Sequence, residues 1–302
     1  MRSLATLVFA LLWSLAATAQ TPLAPALWVI RDADTTITLF GSIHTLPVGI
    51  RWQKPAIMRA FDAADTLVLE AVIPDNPLAM LPTIMRLARK DAVVPLGNRV
   101  PENRRAELNA AVERLRPGPL DAYDSWYAAL EIASTDSERR GVSARNGVEA
   151  VLTARARARG MPVTGLESFE QQLGFFDSLP ETDQVKLLLA ALDDLPDADR
   201  RSRALVDDWL NGRIDSLATA LNDEFDGSPS LRMILLNDRN ARWASWIAAR
   251  MAQPGKVFIA VGAGHMAGPD SLLDKLRSLR IEPERVNEPT RERRPAKRKR
   301  RR

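Results

Sequence analysis

Two stretches of this chain end in the same way, and together they constrain its fold more than any other feature. In Lys256–His265, KVFIAVGAGH, a short and nearly continuous apolar run stops at Gly-x-Gly and then a histidine. In Thr36–His44, TITLFGSIH, a second run also ends in G-x-x-H. Runs this short and rich in β-branched residues predict interior strands covered on both faces rather than helices. Glycine lets the chain turn sharply at a strand end and come close to a neighbour. Each histidine is thereby presented just past the carboxyl end of a strand, where open α/β sheets build their binding crevices. His44 and His265 are the only two histidines in 302 residues. A lone histidine after a strand is ordinarily structural, but a matched pair with no others points to shared chemistry.

The rest of the chain reads as a mixed α/β fold. A hairpin is expected from strands 27–31 and 36–41, with Asp32-Ala33-Asp34-Thr35 at its tip. His44 to Pro47 leave the second strand as an irregular loop. A helix over 55–64 starts at Pro55, a residue suited to a first helical turn. TLVLEAV at 66–72 is a third buried strand whose apolar run is broken by Glu70. A buried carboxylate is costly alone, so Glu70 must have a partner. Residues 76–138 read as a helical insertion over the cleft, with helices over 78–89, 101–115 and 120–135 between Pro/Gly breaks. In 146–166, Asn146 is expected to cap a helix with Glu149 at the capping-box position. Gly160 ends that helix, and a strand leads to Glu167. Further helices fall within 180–225. A helix over 229–251 places Leu236, Asn240, Trp243, Ile247 and Met251 on one face, with Arg239 at its edge. A helix over 268–279 and a weak strand near Val286 close the fold. The expected architecture is a central sheet flanked by helices, with the two strand–G-x-x-H units meeting at one cleft.

Composition narrows the chemistry. There is no cysteine, so thiol nucleophiles, disulfides and thiolate ligands are excluded. Any metal must be held by imidazole, carboxylate, carbonyl or water. A two-histidine, one-carboxylate set made from His44, Glu70 and His265 would suit Zn, Mn or Co and leave positions open for water. Glu167 is a candidate general base or further ligand, and Arg239 and Asn240 are candidates for orienting substrate or stabilising an oxyanion. Patterns for serine-nucleophile elbows, phosphate-cradling loops and the H-E-x-x-H zinc helix are absent. Ser42 is a conceivable nucleophile without a visible base.

The ends carry separate signals. Residues 1–19 have a basic start at Arg2, an apolar segment from Leu4 to Leu15 and Ala17-Thr18-Ala19 before Gln20. That pattern predicts a cleavable export signal cut after Ala19, hence a periplasmic or secreted protein. At the other end, Arg291–Arg302 holds nine basic residues and one acid, which more than accounts for the net charge of +4. The body is therefore acidic, and the basicity describes a disordered tail rather than a nucleic-acid-binding surface. Contact with an anionic membrane surface or lipopolysaccharide is the functional reading of that tail. Residues 20–290 are left as one domain.

Taken together, LFGSIHTLP (39–47), LVLEAV (67–72), GVEAVL (147–152), PVTGLESFEQQ (162–172), DRNARW (238–243) and VFIAVGAGHMAG (257–268) resemble the TraB/GumN family, also called TraB/PrgY/GumN, and its relatives among Tiki-type metalloproteases. The resemblance implies an α/β fold with both G-x-x-H motifs in one cleft. It implies His44, Glu70 and His265 as metal-site residues, with Glu167, Gln171, Arg239 and Asn240 nearby. Tiki-type members are similar in being divalent-metal peptidases, and TraB-type members are linked to shutting off peptide pheromones. One departure is Glu149, where the family pattern usually has aspartate. The expectation is a metal-dependent hydrolase acting on a peptide or protein substrate. A non-catalytic peptide-sequestering protein is the alternative, with a haem-binding protein behind it.

Overall fold

The computed structural model describes residues 24–74, 76–90, 93–222 and 228–286. The expected export signal and basic tail lie outside these residues. Strand β1 (Leu27–Arg31) turns through Asp32–Asp34 into β2 (Thr35–Ser42), and Asp32 accepts the N–H of Thr35 at 2.8 Å to close that turn. The chain passes His44 into the two-residue strand β3 (Leu46–Pro47), then α1 (Pro55–Asp62) and β4 (Thr66–Ala71). Three helices follow, α2 (Leu81–Leu87), α3 (Arg105–Leu115) and α4 (Ser125–Arg139). Next come β5 (Val142–Ser143), α5 (Val148–Ala158) and β6 (Val163–Glu167). Four more helices are α6 (Phe169–Asp177), α7 (Glu181–Asp194), α8 (Ala198–Leu210) and α9 (Ile214–Asn222). The last elements are α10 (Pro229–Arg232), α11 (Asp238–Arg250), β7 (Gly255–Gly262), α12 (Leu272–Ser278) and β8 (Glu284–Arg285).

The main sheet has strand order β6-β4-β7-β2-β1-β8. Its four strands β6, β4, β7 and β2 run parallel, while β1 is antiparallel to both β2 and β8. A mixed, mostly parallel sheet covered by helices is what near-continuous apolar strands require. Alternation along the strands divides the core into two layers. Phe258 and Ala260 of β7, Leu67 and Leu69 of β4 and Phe40 of β2 pack with residues of α1, α5 and α8. Val257, Ile259 and Val261 of β7, Val68 of β4 and Ile37 and Leu39 of β2 pack against α11 and α12. A further core joins α3, α4 and α7.

Several sequence expectations change in detail. The loop after His44 contains β3, which pairs with β5 through Leu46↔Ser143 and Pro47↔Val142. Such short pairings carry too few residues to leave an alternating pattern. Asn146 does not cap α5: it ends a 3₁₀ turn and donates its side-chain amide to the Leu46 carbonyl. Gly147 holds the N-cap position without a side-chain bond, and Glu149 is drawn away from any capping box by two stronger partners described below. The expected continuous helix over 229–251 is interrupted by a π-helical turn at Met233–Asn237. The final strand, expected near Val286, falls at Glu284–Arg285.

Phe258 stands where the first layer is densest. It is fully buried, edge-on to Phe61 at 5.5 Å and tilted against Phe40 at 6.0 Å between ring centroids. Phe258→Ala is expected to lower the unfolding free energy by about 3–5 kcal/mol in urea titration. A loss below about 1 kcal/mol would mean that this layer is not packed as described.

Candidate functional site

Strand registry brings the two histidines to the same end of the sheet. Strands β2 and β7 are parallel neighbours in register Gly41↔Val261 and Ser42↔Gly262. His44 follows β2 in an irregular turn, and His265 lies in a one-turn 3₁₀ helix, Ala263–Met266, directly after β7. Strand β4 pairs with the other edge of β7. Glu70 has the same strand parity as Val68, so it emerges on the face covered by α11.

Glu70 is the meeting point. Its Oε1 accepts the backbone N–H of Gly262 at 2.6 Å. The same oxygen lies 3.9 Å from His44 Nε2 and 3.8 Å from His265 Nε2. Its Oε2 accepts from Arg239 Nη2 at 2.6 Å and from Gln172 Nε2 at 3.2 Å. Glycine at 262 eases this approach, since a Cβ there would sit 3.1 Å from both Glu70 Oε1 and His44 Nε2 and press them back by a few tenths of an ångström.

The remote nitrogen of each imidazole is held by an oxygen. His265 Nδ1 is 2.8 Å from Asn240 Oδ1, while the Asn240 amide nitrogen donates to the Asp270 carbonyl at 2.9 Å. That arrangement puts the His265 proton on Nδ1 and leaves the Nε2 lone pair to accept from Arg239 Nη1 at 3.2 Å. His44 Nδ1 is 2.8 Å from Glu149 Oε1, which also accepts from the Ser42 hydroxyl. Glu149 Oε2 is buried without a hydrogen-bond partner among the described residues. The longer side chain at the position expected to carry aspartate thus reaches the imidazole directly.

Arg239 ties the buried charges together. Its Nε lies 3.0 and 3.1 Å from the two Glu167 oxygens, and Nη2 donates to Glu167 Oε2 at 2.8 Å. Glu167 Oε1 also accepts from Trp243 Nε1 at 3.1 Å. The guanidinium stacks over Trp243 at 4.7 Å and Phe175 at 5.5 Å. Both faces of α11 that matter here follow from helical spacing: Arg239, Asn240 and Trp243 are all buried on its sheet-facing side.

The matched histidines have opposite proton affinities. The negative charge of Glu149 raises His44 to about 9, even though burial of the ring nitrogen works the other way. Some 60% of the His44 side chain faces solvent, which screens part of that attraction. Burial pushes His265 down to about 3, and the attraction of Glu70 does not offset it, with Arg239 adding to the depression. Burial opposes ionisation of Glu70, yet His265, Arg239, His44 and the Gly262 N–H together lower it to about 2. At neutral pH His265 is uncharged, so Arg239 is the lasting counter-charge for Glu70. Burial would lower Arg239, but Glu70 and Glu167 raise it instead.

Of the residues singled out from sequence, His44, His265 and Arg239 each reach Glu70, and Arg239 also reaches His265. Asn240 touches His265, and Glu167 touches Arg239 and Trp243. Gln171 lies elsewhere: it completes a capping box with Ser168, and its neighbour Gln172 reaches Glu70. Glu149 and Ser42 contact the site although sequence reasoning had assigned them other roles. The signal for Glu149 was the GVEAVL segment itself, read as a helix start.

A test of fit for a divalent cation rests on these contacts. Among the described residues no group of three or more His, Asp or Glu side chains has metal-site spacing. Ligand atoms on one tetrahedral ion with bonds of about 2.1 Å lie about 3.4 Å apart, a few tenths of an ångström closer than the 3.8 and 3.9 Å seen here. The His265 Nε2 lone pair is taken by Arg239 Nη1 at 3.2 Å and Glu70 Oε2 by Arg239 Nη2, so a cation held here would have to displace the first of these contacts. Oxygen acceptors on both Nδ1 atoms match the support that metal-ligating imidazoles use.

Residues 26–285 match the TraB/PrgY/gumN family. The chain belongs to that family. It is 26% identical over 261 residues to a relative from Escherichia coli (strain K12), "Uncharacterized protein YbaP", covering 84% of this chain and 92% of that protein. The YbaP protein of Shigella flexneri gives the same identity and coverage. A Treponema pallidum (strain Nichols) protein is 24% identical over 272 residues, covering 84% and 80% of the two chains. No solved structure matches this TraB/PrgY/gumN member.

The His44–Glu149 pair yields a direct prediction for the metal-free protein. NMR titration is expected to show His44 near 9, and Glu149→Gln to bring it back toward the ordinary imidazole value of 6.5. Because the folded pKa is raised, the pair's stabilisation is complete below about 6.5 and is lost as pH rises through about 9. The stability gap between wild type and Glu149→Gln must shrink over that window. A wild-type His44 titrating near 6.5 would contradict the pairing.

Proposed function

We propose that this TraB/PrgY/gumN member is a metal-dependent hydrolase of amide bonds in peptides or proteins, with His44, Glu70 and His265 holding a divalent cation such as Zn, Mn or Co. The observation that carries the reading is convergence of His44 Nε2 and His265 Nε2 on one Glu70 oxygen. When bound, such a cation polarises a carbonyl and lowers the pKa of its water. The pattern of residues 1–19 supports action outside the cytoplasm, in the periplasm or beyond.

The protein's own groups have separate tasks in this reading. Glu149 and Asn240 fix the ring orientation and tautomer of His44 and His265. They are positioning residues, as is Glu167, whose two oxygens are already taken by Arg239 and Trp243. Arg239 supplies a fixed positive charge beside His265 and Glu70, where the carbonyl oxygen of a bound amide would gain negative charge. Holding that charge in a buried, prearranged position makes it more effective than the same charge in water. Because His44 is protonated in the metal-free protein, metal binding must release a proton and strengthen as pH rises toward about 9.

The test compares wild type with His265→Ala for metal content and for turnover of a mixed peptide library. Wild type is expected to hold metal stoichiometrically and to lose turnover on chelation. The variant is expected to lose both metal and at least about 100-fold in turnover. Full turnover after chelation, or in the variant, contradicts the proposal, and peptide binding without any turnover favours a sequestering protein.

A further inference from the structure

Arg242 stands beside the cluster and joins it through a long ion pair with Glu167. It lies one helical turn after Arg239 on α11, and the two guanidiniums flank the same ring, Phe175 of α6, at 5.1 and 5.5 Å from its centroid. Their situations differ sharply. The Arg239 side chain is 9% exposed and fully engaged, whereas that of Arg242 is 52% exposed. The nearest carboxylate to Arg242 is Glu167, with Nη2 3.7 Å from Oε1. That exceeds hydrogen-bonding distance. Glu167 has no need of it, because Arg239 and Trp243 already occupy both oxygens. Phe175 therefore backs a half-exposed guanidinium whose charge partner, Glu167, is held only at ion-pair distance.

We propose that Arg242 is a specificity residue that receives a carboxylate of the substrate. The inference rests on the reading that substrate is worked on beside Glu70 and His265. Guanidinium is suited to this task because its planar fork matches a carboxylate with two parallel hydrogen bonds. Since both guanidiniums lie against one ring, they are within about 11 Å of each other. An extended peptide advances about 3.3–3.6 Å per residue. A carboxylate on Arg242 thus belongs to an acidic side chain, or to a chain terminus, no more than about three residues from the amide held near Arg239. The substrate class is an acidic peptide segment.

The experiment uses the full chain and three rhodamine-labelled octapeptide pools that are identical except for Glu/Asp in one, Gln/Asn in the second and Lys in the third. Binding is followed by fluorescence anisotropy, with and without zinc, and turnover is recorded separately. Wild type is expected to prefer the acidic pool over the Gln/Asn pool about fivefold, as one well-placed exposed charge pair allows. Arg242→Gln is expected to remove the preference, Arg242→Lys to restore part of it, and Arg242→Glu to shift it to the Lys pool. Any contribution of the basic residues 291–302 is common to all variants, so the change in the pool ratio between wild type and variant is the measure. Equal affinity for the acidic and Gln/Asn pools, an acidic preference untouched by Arg242→Gln, or no binding of any pool overturns the inference. If the preference depends on Arg242 while no peptide is ever cleaved, the inference stands and the hydrolase reading falls.

Discussion

Arg239 decides the charge balance of this protein's interior. Two carboxylates, Glu70 at the end of β4 and Glu167 at the end of β6, are buried within reach of it. Burying either without a partner would be costly, because an unpaired buried charge loses far more hydration than the protein returns. Removing the guanidinium would leave both uncompensated, a cost on the order of 3–5 kcal/mol. The same bonds have a geometric consequence. By gripping Glu70 Oε2, Arg239 turns Oε1 toward the Gly262 N–H and the two imidazoles. The helix α11 is thereby locked to two strands at the point where the chemistry sits.

Around that fixed centre, two histidines with similar local sequences acquire opposite characters. His44 is open to solvent and faces the carboxylate of Glu149, which favours its charged form. His265 is enclosed, faces the neutral amide of Asn240 and shares space with Arg239, which favours its neutral form. Environments that push two titratable groups apart in this way separate proton donor from acceptor. Without a metal, the proton of His44 supplies the positive charge next to Glu70 Oε1. In the proposed hydrolase, a divalent cation takes over that role.

How much of this was legible in sequence depended on how local the cause was. Strands β2, β4 and β7 announced themselves through short apolar runs, and the placement of His44 and His265 followed from the glycines that end two of them. Glu70 was recognisable as a residue needing a partner because it broke such a run. Its partner Arg239 stood at the edge of a helical stripe whose odd polar member, Asn240, was equally visible. Glu149 was misread because a carboxylate two residues after a helix start has an ordinary local explanation. Only the packing of α5 against the loop after β2 reveals that it bonds His44 instead. Gln172 was missed by one residue: Gln171 is consumed by the capping box, and a shift of one position turns a helical side chain by about 100°. Strands β3 and β5 arise from pairing between distant segments, which leaves no periodic trace.

The central claim is that imidazoles 221 positions apart in sequence, at 44 and 265, grip one cation together with Glu70. X-ray absorption spectroscopy on the cobalt-loaded protein tests it most directly. The account predicts a first coordination shell with two imidazole nitrogens and carboxylate oxygen, reduced to a single imidazole in both His44→Ala and His265→Ala. A shell without imidazole, or a spectrum unchanged in either variant, would contradict it.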